Sequence, residues 1–404
     1  KKTASIGTIG VQINNTKKIV KNTTLDPVRL REVINNLSSN KINNIILEAS
    51  SHGLKQNRLD GLLFDIGIFT NLSHDHLDYH KNFNDYLNAK LYLFNNLIKN
   101  RGIVITDPNI PQFKKIKKVA DIKKLKLLTI LNSNADLQLV SHNYVRDHQI
   151  LIVKEKNKKK LTKIRLNLIG KIQIKNVLMA ILAATESGVD INSIAKSISK
   201  LRPAEGRLEK IGKLKNNSKV ILDYAHTPDA LETILKNIKE QFPLAKIRLV
   251  FGCGGNRDKA KRSKMGKIAS KLANMIYLTD DNPRNENPKK IRNDIKKGIR
   301  NKNIKEISNR KIAIKDCISD LCSGDIAIIA GKGHEKIQEN KGKKNFLSDR
   351  KEILKSINFK NNKLFKDMRL NIIQEKTKLL EKNLKFAKAS INSKELKKND
   401  IFFA

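Results

Sequence analysis

The sequence contains no tryptophan, only three cysteines, and fewer than half as many acidic residues (39) as basic ones (82). The cysteines have neither the spacing of a metal site nor the number of a disulfide framework, which favours a reducing cytoplasm. No apolar run approaches the ~20 residues that a membrane-spanning helix needs, and no signal peptide is visible. These absences argue against a disulfide-stabilised secreted protein and against a membrane-embedded one.

The excess of basic residues gives a formal charge of +43, the usual mark of a protein that binds nucleic acid or an anionic membrane. Lysine is spread along the whole chain, however, and accompanied by abundant asparagine and isoleucine, which is typical of an AT-rich coding background. Aromatic residues, the stacking platforms for single-stranded bases, make up only 5%. We therefore predict no nucleic-acid partner and keep a basic nucleic-acid-binding protein as the alternative from a different class.

A chain of 404 residues is long enough for two or three domains. Strand-like and helix-like runs alternate, which predicts an α/β fold with parallel sheets and crossover helices. In the first unit, residues 42–48 and 65–70 resemble buried strands, and residues 83–98 an amphipathic helix. Residues 137–168 indicate an antiparallel excursion, and 172–188 a helix that ends at glycine.

A second α/β unit follows a turn-rich linker at Leu201–Gly206. Its four predicted strands are Lys219–Asp223, Lys246–Phe251, Met275–Leu278 and Asp325–Ala330. Beyond about residue 356 the pattern changes to a Lys- and Asn-rich stretch with a helical segment.

The segment Asp281–Arg284 lies between the strand-like run at 275–278 and a helix-like run that starts near Pro288. Because proline fixes its own φ and restricts its predecessor, Asn282 and Arg284 should lie on a defined bend. An arginine pairs with a carboxylate in a bidentate manner, while neighbouring acids hold an ammonium. The segment is thus either a receptor for a zwitterionic amino acid or an ordinary Asx-Pro turn with solvated charges.

Polar and glycine-rich segments also follow the other strands of the second unit, namely Asp223–Pro228, Gly252–Asp258 and Gly331–Glu335. Each one alone is only a turn between a strand and a helix. The carboxyl ends of parallel strands meet at one edge of a sheet, so these segments should converge with 281–284 on one face. Their convergence favours a binding site.

In the first unit, Glu48–Leu54 and Asn71–His80 follow neighbouring strands and contain one Glu, two Asp and four His. Mg²⁺ takes few protein ligands, mostly carboxylates, and completes its shell with phosphate oxygens and water. Zinc is the alternative for a histidine-rich cluster, but neither cysteine nor the histidine spacing supports it. Lys90, on the next helix, is by itself an ordinary solvated surface charge.

These segments occur together in an order and spacing that resemble the Mur ligase family over about residues 3–355. The matching segments are Asn22–Thr24, Glu48–Leu54 with Gln56 and Arg58, Thr70–His80, Ala89-Lys90, Gly206–Glu209, Asp223–Pro228, Gly252–Asp258, Asp281–Arg284 and Gly331–Glu335. The resemblance is to the members that add the third residue of the peptidoglycan stem peptide.

The resemblance implies a role for each matching residue. Those that would hold the UDP-muramoyl dipeptide are Asn22, Thr23, Thr24, Ser50, Gln56 and Arg58. The implied magnesium ligands are Glu48 and His76, and the implied N-carboxylated lysine is Lys90. Those that would contact ATP are Asn176, Arg207 and Asp223. Those that would form the amino-acid site are Arg257, Asp281, Asn282, Pro283, Arg284, Gly331 and Glu335.

The implied reaction is ATP-dependent amide ligation with Mg²⁺ as cofactor. ATP would phosphorylate the D-Glu carboxylate of UDP-N-acetylmuramoyl-L-Ala-D-Glu, and the amine of meso-diaminopimelate would attack the acyl phosphate. In the family, Asp-Asn-Pro-Arg accompanies meso-diaminopimelate; the alternatives are an L-lysine-adding member and a folylpolyglutamate-synthetase-like ligase. The implied protein is a cytoplasmic monomer.

The resemblance also implies three regions: a central ATPase-type domain at 1–203, a Rossmann-like C-terminal domain at 204–356, and a linker at 357–404. The family's phosphate-binding loop, with a Gly-Lys-Thr-Thr core, should lie upstream of Ile6–Gly10 and nothing in residues 1–404 supplies it, so we expect residues 1–404 alone to be inactive. The stretch 368–404 resembles the start of the next Mur ligase, which adds D-Ala-D-Ala. We expect a fragment of a fused two-enzyme chain, with a disordered basic extension as the alternative.

Overall fold

The computed structural model describes residues 2–13, 16–20, 22–73, 76–77, 79–300, 303–377, 388–390 and 400–402, with side chains as far as Lys363. The predicted histidine-acid cluster is only partly covered, since His74, Asp75 and Asp78 lie outside the described residues. So does most of the tail that resembles the start of a second ligase. A membrane-spanning helix is absent from the described residues, because none of their helices combines sufficient length with enough apolar residues.

The first sheet has four strands in the order β3-β2-β1-β4, of which only β1 and β4 pair in parallel. Its elements are β1 (Thr3–Gly7), β2 (Gly10–Ile13), β3 (Thr16–Lys18), α1 (Pro27–Ser39) and β4 (Asn44–Leu47). Helix α1 starts where local chemistry favours it, because the Asp26 side chain accepts from the Arg29 N–H and Pro27 occupies the first turn.

The second sheet has the order β10-β9-β8-β7-β6-β5, parallel from β5 to β8 and antiparallel from β8 to β10. Its elements, with the helices around them, are α2 (Ser51–Lys55), β5 (Phe64–Phe69), α3 (Phe83–Tyr92), β6 (Ile98–Thr106), α4 (Phe113–Ile122), β7 (Lys126–Leu131), β8 (Leu137–Val145), β9 (His148–Glu155), β10 (Leu161–Leu166), α5 (Lys171–Glu186) and α6 (Ile191–Ile198). The predicted antiparallel excursion and the glycine after α5 are confirmed, with Gly188 at φ 80°.

The helix predicted over 83–98 is observed as α3 followed by a π-helical turn (Leu93–Leu97), and β6 begins at Ile98. One prediction for this part of the chain was wrong in detail. The strand predicted over 42–48 is present but not buried, since Ile46 is 64% exposed. The physical reason is that β4 and β5 are the outer strands of their sheets and both line one cleft.

The third sheet has the order β11-β12-β16-β13-β14-β15, parallel except for the short β11. Its elements are β11 (Glu209–Lys210), β12 (Lys219–Asp223), α7 (Pro228–Gln241), β13 (Ile247–Phe251), α8 (Ala260–Leu272), β14 (Met275–Leu278), α9 (Pro288–Lys296), β15 (Ile304–Glu306), α10 (Arg310–Ser319) and β16 (Ile326–Ala330). All four predicted strands are confirmed. Apolar clusters bury both faces of the sheet, as parallel strands require.

After β16 the chain forms a hairpin and a long helix. The remaining elements are β17 (Ile337–Asn340), β18 (Lys343–Phe346), α11 (Asp349–Thr377), β19 (Lys388–Ser390) and β20 (Asp400–Phe402). Helix α11 runs through the predicted boundary at residue 356, and Ile357 is buried against the third sheet. The Lys360 ammonium donates to the carbonyls of Ser319 and Leu321, which ties this turn of α11 to the end of α10.

The second and third sheets are joined where α5 begins. The Gly170 N–H donates to Gln241 Oε1 at 2.9 Å and the Ile172 N–H to Asn237 Oδ1 at 3.1 Å. Both acceptors are buried side chains of α7. They satisfy backbone donors at the start of α5 that lack a partner within the helix. This joint ties the start of α5 to the last turns of α7.

Candidate active site

A cavity of about 1660 Å³ runs along β4 and β5 and reaches the carboxyl ends of strands from all three sheets. Its lining includes residues that follow β4, β5, β12, β13, β14 and β16, so the predicted convergence of strand ends is observed. Of the residues selected from the sequence, those that line it are Asn22, Thr23, Thr24, Glu48, Ser50, Gln56, Arg58, His76, Lys90, Arg207, Asp223, Arg257, Asp281, Asn282, Arg284, Gly331 and Glu335. Asn176 and Pro283 are not among them; Asn176 is exposed on α5, with Nδ2 3.4 Å from Gln173 Oε1.

Two sides of the cavity differ in construction. We call residues 252–258, 279–287 and 331–335 the C-terminal rim, and the described residues of 22–24, 48–58 and 70–90 the N-terminal rim. The C-terminal rim comes from loops of the third sheet, and the N-terminal rim from segments that follow β3, β4 and β5.

The Asp281–Arg284 bend is held in place from one side by β17 and the residue after it. The Arg284 N–H donates to Glu339 O at 3.0 Å, and the Lys341 N–H donates to Arg284 O at 2.6 Å. Gln338 Nε2 donates to Asp281 O at 2.6 Å. Arg284 itself has φ 51°, a left-handed conformation that the surrounding hydrogen bonds enforce. The bend is therefore a fixed feature rather than a solvated turn.

The Arg284 side chain lies over the loop that follows β13. Its Nη1 donates to Gly255 O at 2.7 Å, and its Nε lies 3.7 Å from Glu339 Oε2. The two loops approach so closely that a Cβ at Gly255 would lie 1.9 Å from Pro283 O, which explains the glycine. One quarter of the Arg284 side chain remains exposed beside the cavity.

A buried lysine, Lys332, holds two residues of the C-terminal rim. Its Nζ donates to Asn282 Oδ1 (3.1 Å), Glu335 Oε2 (3.2 Å) and Ile337 O (2.7 Å). Asn282 Nδ2 also donates to Glu335 Oε2, at 3.1 Å. Sequence reasoning missed Lys332, whose position between two glycines was the only available signal.

Two fully buried arginines support the same rim from beneath. Arg262 donates to both carboxylate oxygens of Glu286 (2.9 and 3.0 Å) and to Asp294 Oδ2 (3.2 Å). Arg310 donates to both oxygens of Asp349 and to Ala330 O, just before Gly331. Burial by itself would lower the pKa of each guanidinium, but the paired carboxylates outweigh it and raise both pKa values. Sequence reasoning missed these residues too, because burial distinguishes them from the other basic residues and the sequence does not show burial.

The corner after β12 combines a buried acid with aromatic rings. Asp223 accepts from the N–H groups of Leu208 and Ala225, both at 2.7 Å, yet burial raises the pKa of its carboxyl group. The guanidinium of Arg207 lies 4.8 Å from the centre of the Tyr224 ring. Burial raises the pKa of Tyr224 to about 12. Arg207 and Asp223 are thus brought to one corner of the cavity.

The N-terminal rim is organised by hydroxyl groups. Glu48 Oε2 accepts from both the N–H and the Oγ1 of Thr8, at 2.8 and 2.9 Å. Thr24 Oγ1 donates to Glu48 O and accepts from the Ser50 N–H. Arg58 Nη1 donates to Thr24 O at 2.8 Å. Residues from three separate segments therefore meet on this side of the cavity.

Lys90 is half-buried rather than fully solvated. Its Nζ lies 5.4 Å from the centre of the Tyr86 ring and 5.9 Å from that of Phe69. The His76 ring packs edge-on against Tyr86 as well. Glu48, His76 and Lys90 all line the cavity. Among the described residues, no group of three His, Cys, Asp or Glu side chains is arranged to hold a metal ion.

Comparison with known proteins gives two matching family profiles. The Mur ligase middle domain matches residues 1–184, and the Mur ligase glutamate ligase domain matches residues 206–333. A protein of Rickettsia montanensis named UDP-N-acetylmuramoyl-L-alanyl-D-glutamate--2,6-diaminopimelate ligase is 42% identical over 345 residues, which span 84% of this chain and 70% of that protein. A protein of the same name from Chelativorans sp. (strain BNC1) is 37% identical over 354 residues, 88% of this chain and 72% of the relative.

Two solved structures resemble the chain as well, one in sequence and fold and the other in fold alone. A structure of UDP-N-acetylmuramoyl-L-alanyl-D-glutamate--2,6-diaminopimelate ligase superposes with a TM-score of 0.63 at 33% identity, covering 89% of this chain and 73% of that one. A folylpolyglutamate synthase of Mycobacterium tuberculosis superposes with a TM-score of 0.58 at 15% identity, covering 73% and 67%. At that identity the second likeness concerns the fold alone.

Proposed function

The chain belongs to the Mur ligase family, and from that premise we propose that it joins meso-diaminopimelate to UDP-N-acetylmuramoyl-L-alanyl-D-glutamate at the expense of ATP. The observation that carries the proposal is the cavity, whose lining includes residues of the Asp281–Arg284 bend and of the Glu48 and Thr24 segments. The named relatives act on these substrates according to their names. We infer a cytoplasmic monomer, because all the proposed site residues come from one chain and the precursor is nucleotide-linked.

The C-terminal rim is our proposed receptor for the amino acid. Arg284 would pair with the carboxylate at the far centre of meso-diaminopimelate, and Glu335 would accept from the ammonium of that centre. Arg257, Asp281, Asn282, Pro283 and Gly331 complete the proposed set. L-Lysine has no far carboxylate, so its binding would leave the arginine without a ligand partner and be penalised.

The N-terminal rim is our proposed receptor for the UDP-muramoyl dipeptide, through Asn22, Thr23, Thr24, Ser50, Gln56 and Arg58. Hydroxyl, amide and guanidinium donors suit a substrate that carries phosphates and carboxylates. The hydrogen bonds of Thr24 to the Glu48–Ser50 backbone support this assignment. They would fix the dipeptide beside the group that is activated.

ATP is the family's energy source, and Asn176, Arg207 and Asp223 are our proposed contacts with it. We infer that Glu48 and His76 would hold Mg²⁺. One carboxylate and one imidazole fit an ion that takes its other ligands from phosphate and water, and Thr8 already fixes the carboxylate. The ion would neutralise negative charge on the transferred phosphoryl group. N-carboxylation of Lys90 would replace a half-buried ammonium with an anion in the same cavity as these ligands.

The proposed function is tested by ligation with the full-length protein, ATP and the UDP-muramoyl dipeptide, comparing meso-diaminopimelate with L-lysine. We expect amide product and ADP in equal amounts with diaminopimelate, and at least ~10²-fold lower kcat/KM with lysine. Equal use of lysine would contradict the assigned specificity. Absence of product with either amino acid would contradict the ligase proposal.

A matched pair of variants tests the arginine. Arg284→Met should lower kcat/KM for diaminopimelate by roughly 10²-fold or more, because a charged hydrogen-bonded partner is lost. It should change kcat/KM for lysine far less. Arg300→Met, at an exposed arginine outside the cavity lining, is the control and should leave both values unchanged.

A further inference from the structure

We propose that Lys332 is a positioning residue that fixes Asn282 and Glu335 in the orientation needed to receive the ammonium of the incoming amino acid. This inference rests on the proposed function, because it adds a residue to the same amino-acid site. Lys332 does not line the cavity and would not touch the substrate. Its action would pass through the two side chains that do line it.

The first step concerns the hydrogen bonds of the lysine itself. An ammonium has three N–H donors, and Lys332 Nζ has three acceptors within 3.2 Å: an amide oxygen, a carboxylate oxygen and a backbone carbonyl. The side chain is fully buried. A buried ammonium is costly unless it is paired and hydrogen-bonded, and here every donor has a partner. Lys332 thus forms a fully hydrogen-bonded junction with Asn282, Glu335 and Ile337, unlike a solvated surface lysine.

The second step concerns Asn282, whose amide can face in two directions. Its Oδ1 accepts from Lys332 Nζ and from the Glu339 N–H at 3.0 Å, and both of these groups are donors only. The oxygen must therefore face Lys332, which turns Nδ2 towards Glu335. Lys332 and the Glu339 N–H thus together determine which end of the Asn282 amide points to the carboxylate.

The third step concerns the two oxygens of Glu335. Oε2 accepts from both Lys332 Nζ and Asn282 Nδ2, and so serves as the anchor of the carboxylate. Oε1 lies 3.3 Å from the Tyr224 hydroxyl at the edge of the cavity. With Oε2 anchored, Oε1 is the oxygen turned towards a ligand. An ammonium donor from the substrate would find its acceptor already oriented, which lowers the entropic cost of binding.

A third of the Glu335 side chain is exposed, so without Lys332 it would be held only by Asn282 Nδ2 and the Tyr224 hydroxyl and would be less well fixed. Methionine at position 332 keeps the length and apolar stem of lysine but provides no donors. Arginine keeps the charge, but its planar fork does not match three acceptors arranged around a single nitrogen. Neither residue should reproduce the junction.

The experiment compares Lys332→Met with Lys336→Met in the full-length protein. Lys336 is exposed four residues further on and provides the matched control. For Lys332→Met we expect KM for meso-diaminopimelate to rise about tenfold or more, while KM for ATP and for the UDP-muramoyl dipeptide changes less than about twofold. A purely structural role would instead lower the amount of folded enzyme and leave all three KM values alike. The control should change none of them.

A double-mutant cycle and a ligand-free readout complete the test. In a Glu335→Gln background, Lys332→Met should raise KM for diaminopimelate much less than in the wild type, because the group that it positions has been altered. In the ligand-free protein, the side-chain amide signal of Asn282 in ¹⁵N–¹H spectra should shift in Lys332→Met and stay in place in Lys336→Met.

The outcomes separate this inference from the proposed function. Wild-type protein that ligates diaminopimelate, together with an unchanged KM and an unchanged Asn282 signal in Lys332→Met, overturns the role of Lys332 and leaves the function intact. Wild-type protein that does not ligate overturns the function, and the Asn282 signal still decides whether Lys332 orients that amide. If Lys332→Met fails to fold, Lys332→Gln provides the same measurements.

Discussion

The two rims of the cavity are built from different interactions. Behind the C-terminal rim lie the fully buried Lys332, Arg262 and Arg310, each paired with a carboxylate. The N-terminal rim depends on hydroxyl-to-backbone hydrogen bonds and on partly exposed ion pairs such as Lys55–Asp85. It also follows β4 and β5, the two strands whose outer edges face the cleft. We therefore expect the C-terminal rim to be the more rigid of the two before any ligand binds.

The difference has a thermodynamic consequence. Removing one partner of a buried pair leaves a desolvated charge and costs several kcal/mol, whereas breaking an exposed pair costs little. The C-terminal rim is proposed to distinguish one amino acid from another by charge. Side chains that are held in place cannot turn away when a ligand lacks the matching charge, so they stay unpaired and binding of the wrong ligand is penalised. We therefore expect the C-terminal rim to dominate the effects of mutation on the free energy of unfolding.

The strongest test of this contrast is Asp349→Asn, which removes the charged partner of the buried Arg310. We expect the free energy of unfolding to fall by ~3–5 kcal/mol, because the guanidinium stays buried without its counter-charge. Urea unfolding followed by circular dichroism measures it. The control is Asp65→Asn, which breaks the exposed Lys99–Asp65 pair and should cost less than ~1 kcal/mol. Equal losses in the two variants would remove the distinction between buried and exposed pairs.

A smaller effect is expected from Gly255→Ala, where the loops after β13 and β14 touch. The added Cβ would lie 1.9 Å from Pro283 O, so the loops must separate at a cost of ~1–3 kcal/mol. KM for diaminopimelate should rise as well, since Arg284 is held by Gly255 O. The control is Gly324→Ala. Its φ of 79° is unfavourable for alanine, but an added Cβ would meet no neighbouring atom, so the free energy of unfolding should fall by about 1 kcal/mol. A Gly255→Ala variant with unchanged KM would show that this contact does not position Arg284.

A pH-dependent effect of about 1.5 kcal/mol is expected from Glu286→Gln. The hydrogen bond from Arg262 holds the pKa of Glu286 below its ordinary value of 4.5. A carboxyl with a lowered folded-state pKa stabilises the protein above pH 4.5 and loses that contribution as the pH falls through the lowered pKa. The variant should therefore be less stable than wild type at pH 7, and the difference should shrink as the pH falls below 4.5. A constant difference between pH 3 and pH 7 would contradict this origin of the stability.

The sequence predicts the local features of the C-terminal rim but not the buried charged residues behind it. Pro283 and Pro288 with Asn287 before it follow local rules, and both the bend and the helix start are observed. The burial of Lys332, Arg262 and Arg310 is a tertiary property that cannot be recognised among 82 basic residues. The exposure of β4 could not be predicted for a similar reason, since an apolar run looks the same in a central strand and in an outer one.

The smallest change in stability is expected from Glu48→Gln on the N-terminal rim, together with a large loss of activity. Glutamine retains an oxygen that can accept from Thr8, and the residue is exposed, so the free energy of unfolding should change by less than ~0.5 kcal/mol. Ligation by the full-length protein should nevertheless fall by ~10²-fold or more, because the proposed Mg²⁺ ligand loses its charge. Urea unfolding and ligation over a range of Mg²⁺ concentrations measure both effects on the same preparation. A loss of activity that follows a loss of stability would instead indicate that this rim, like the other, is a fixed framework.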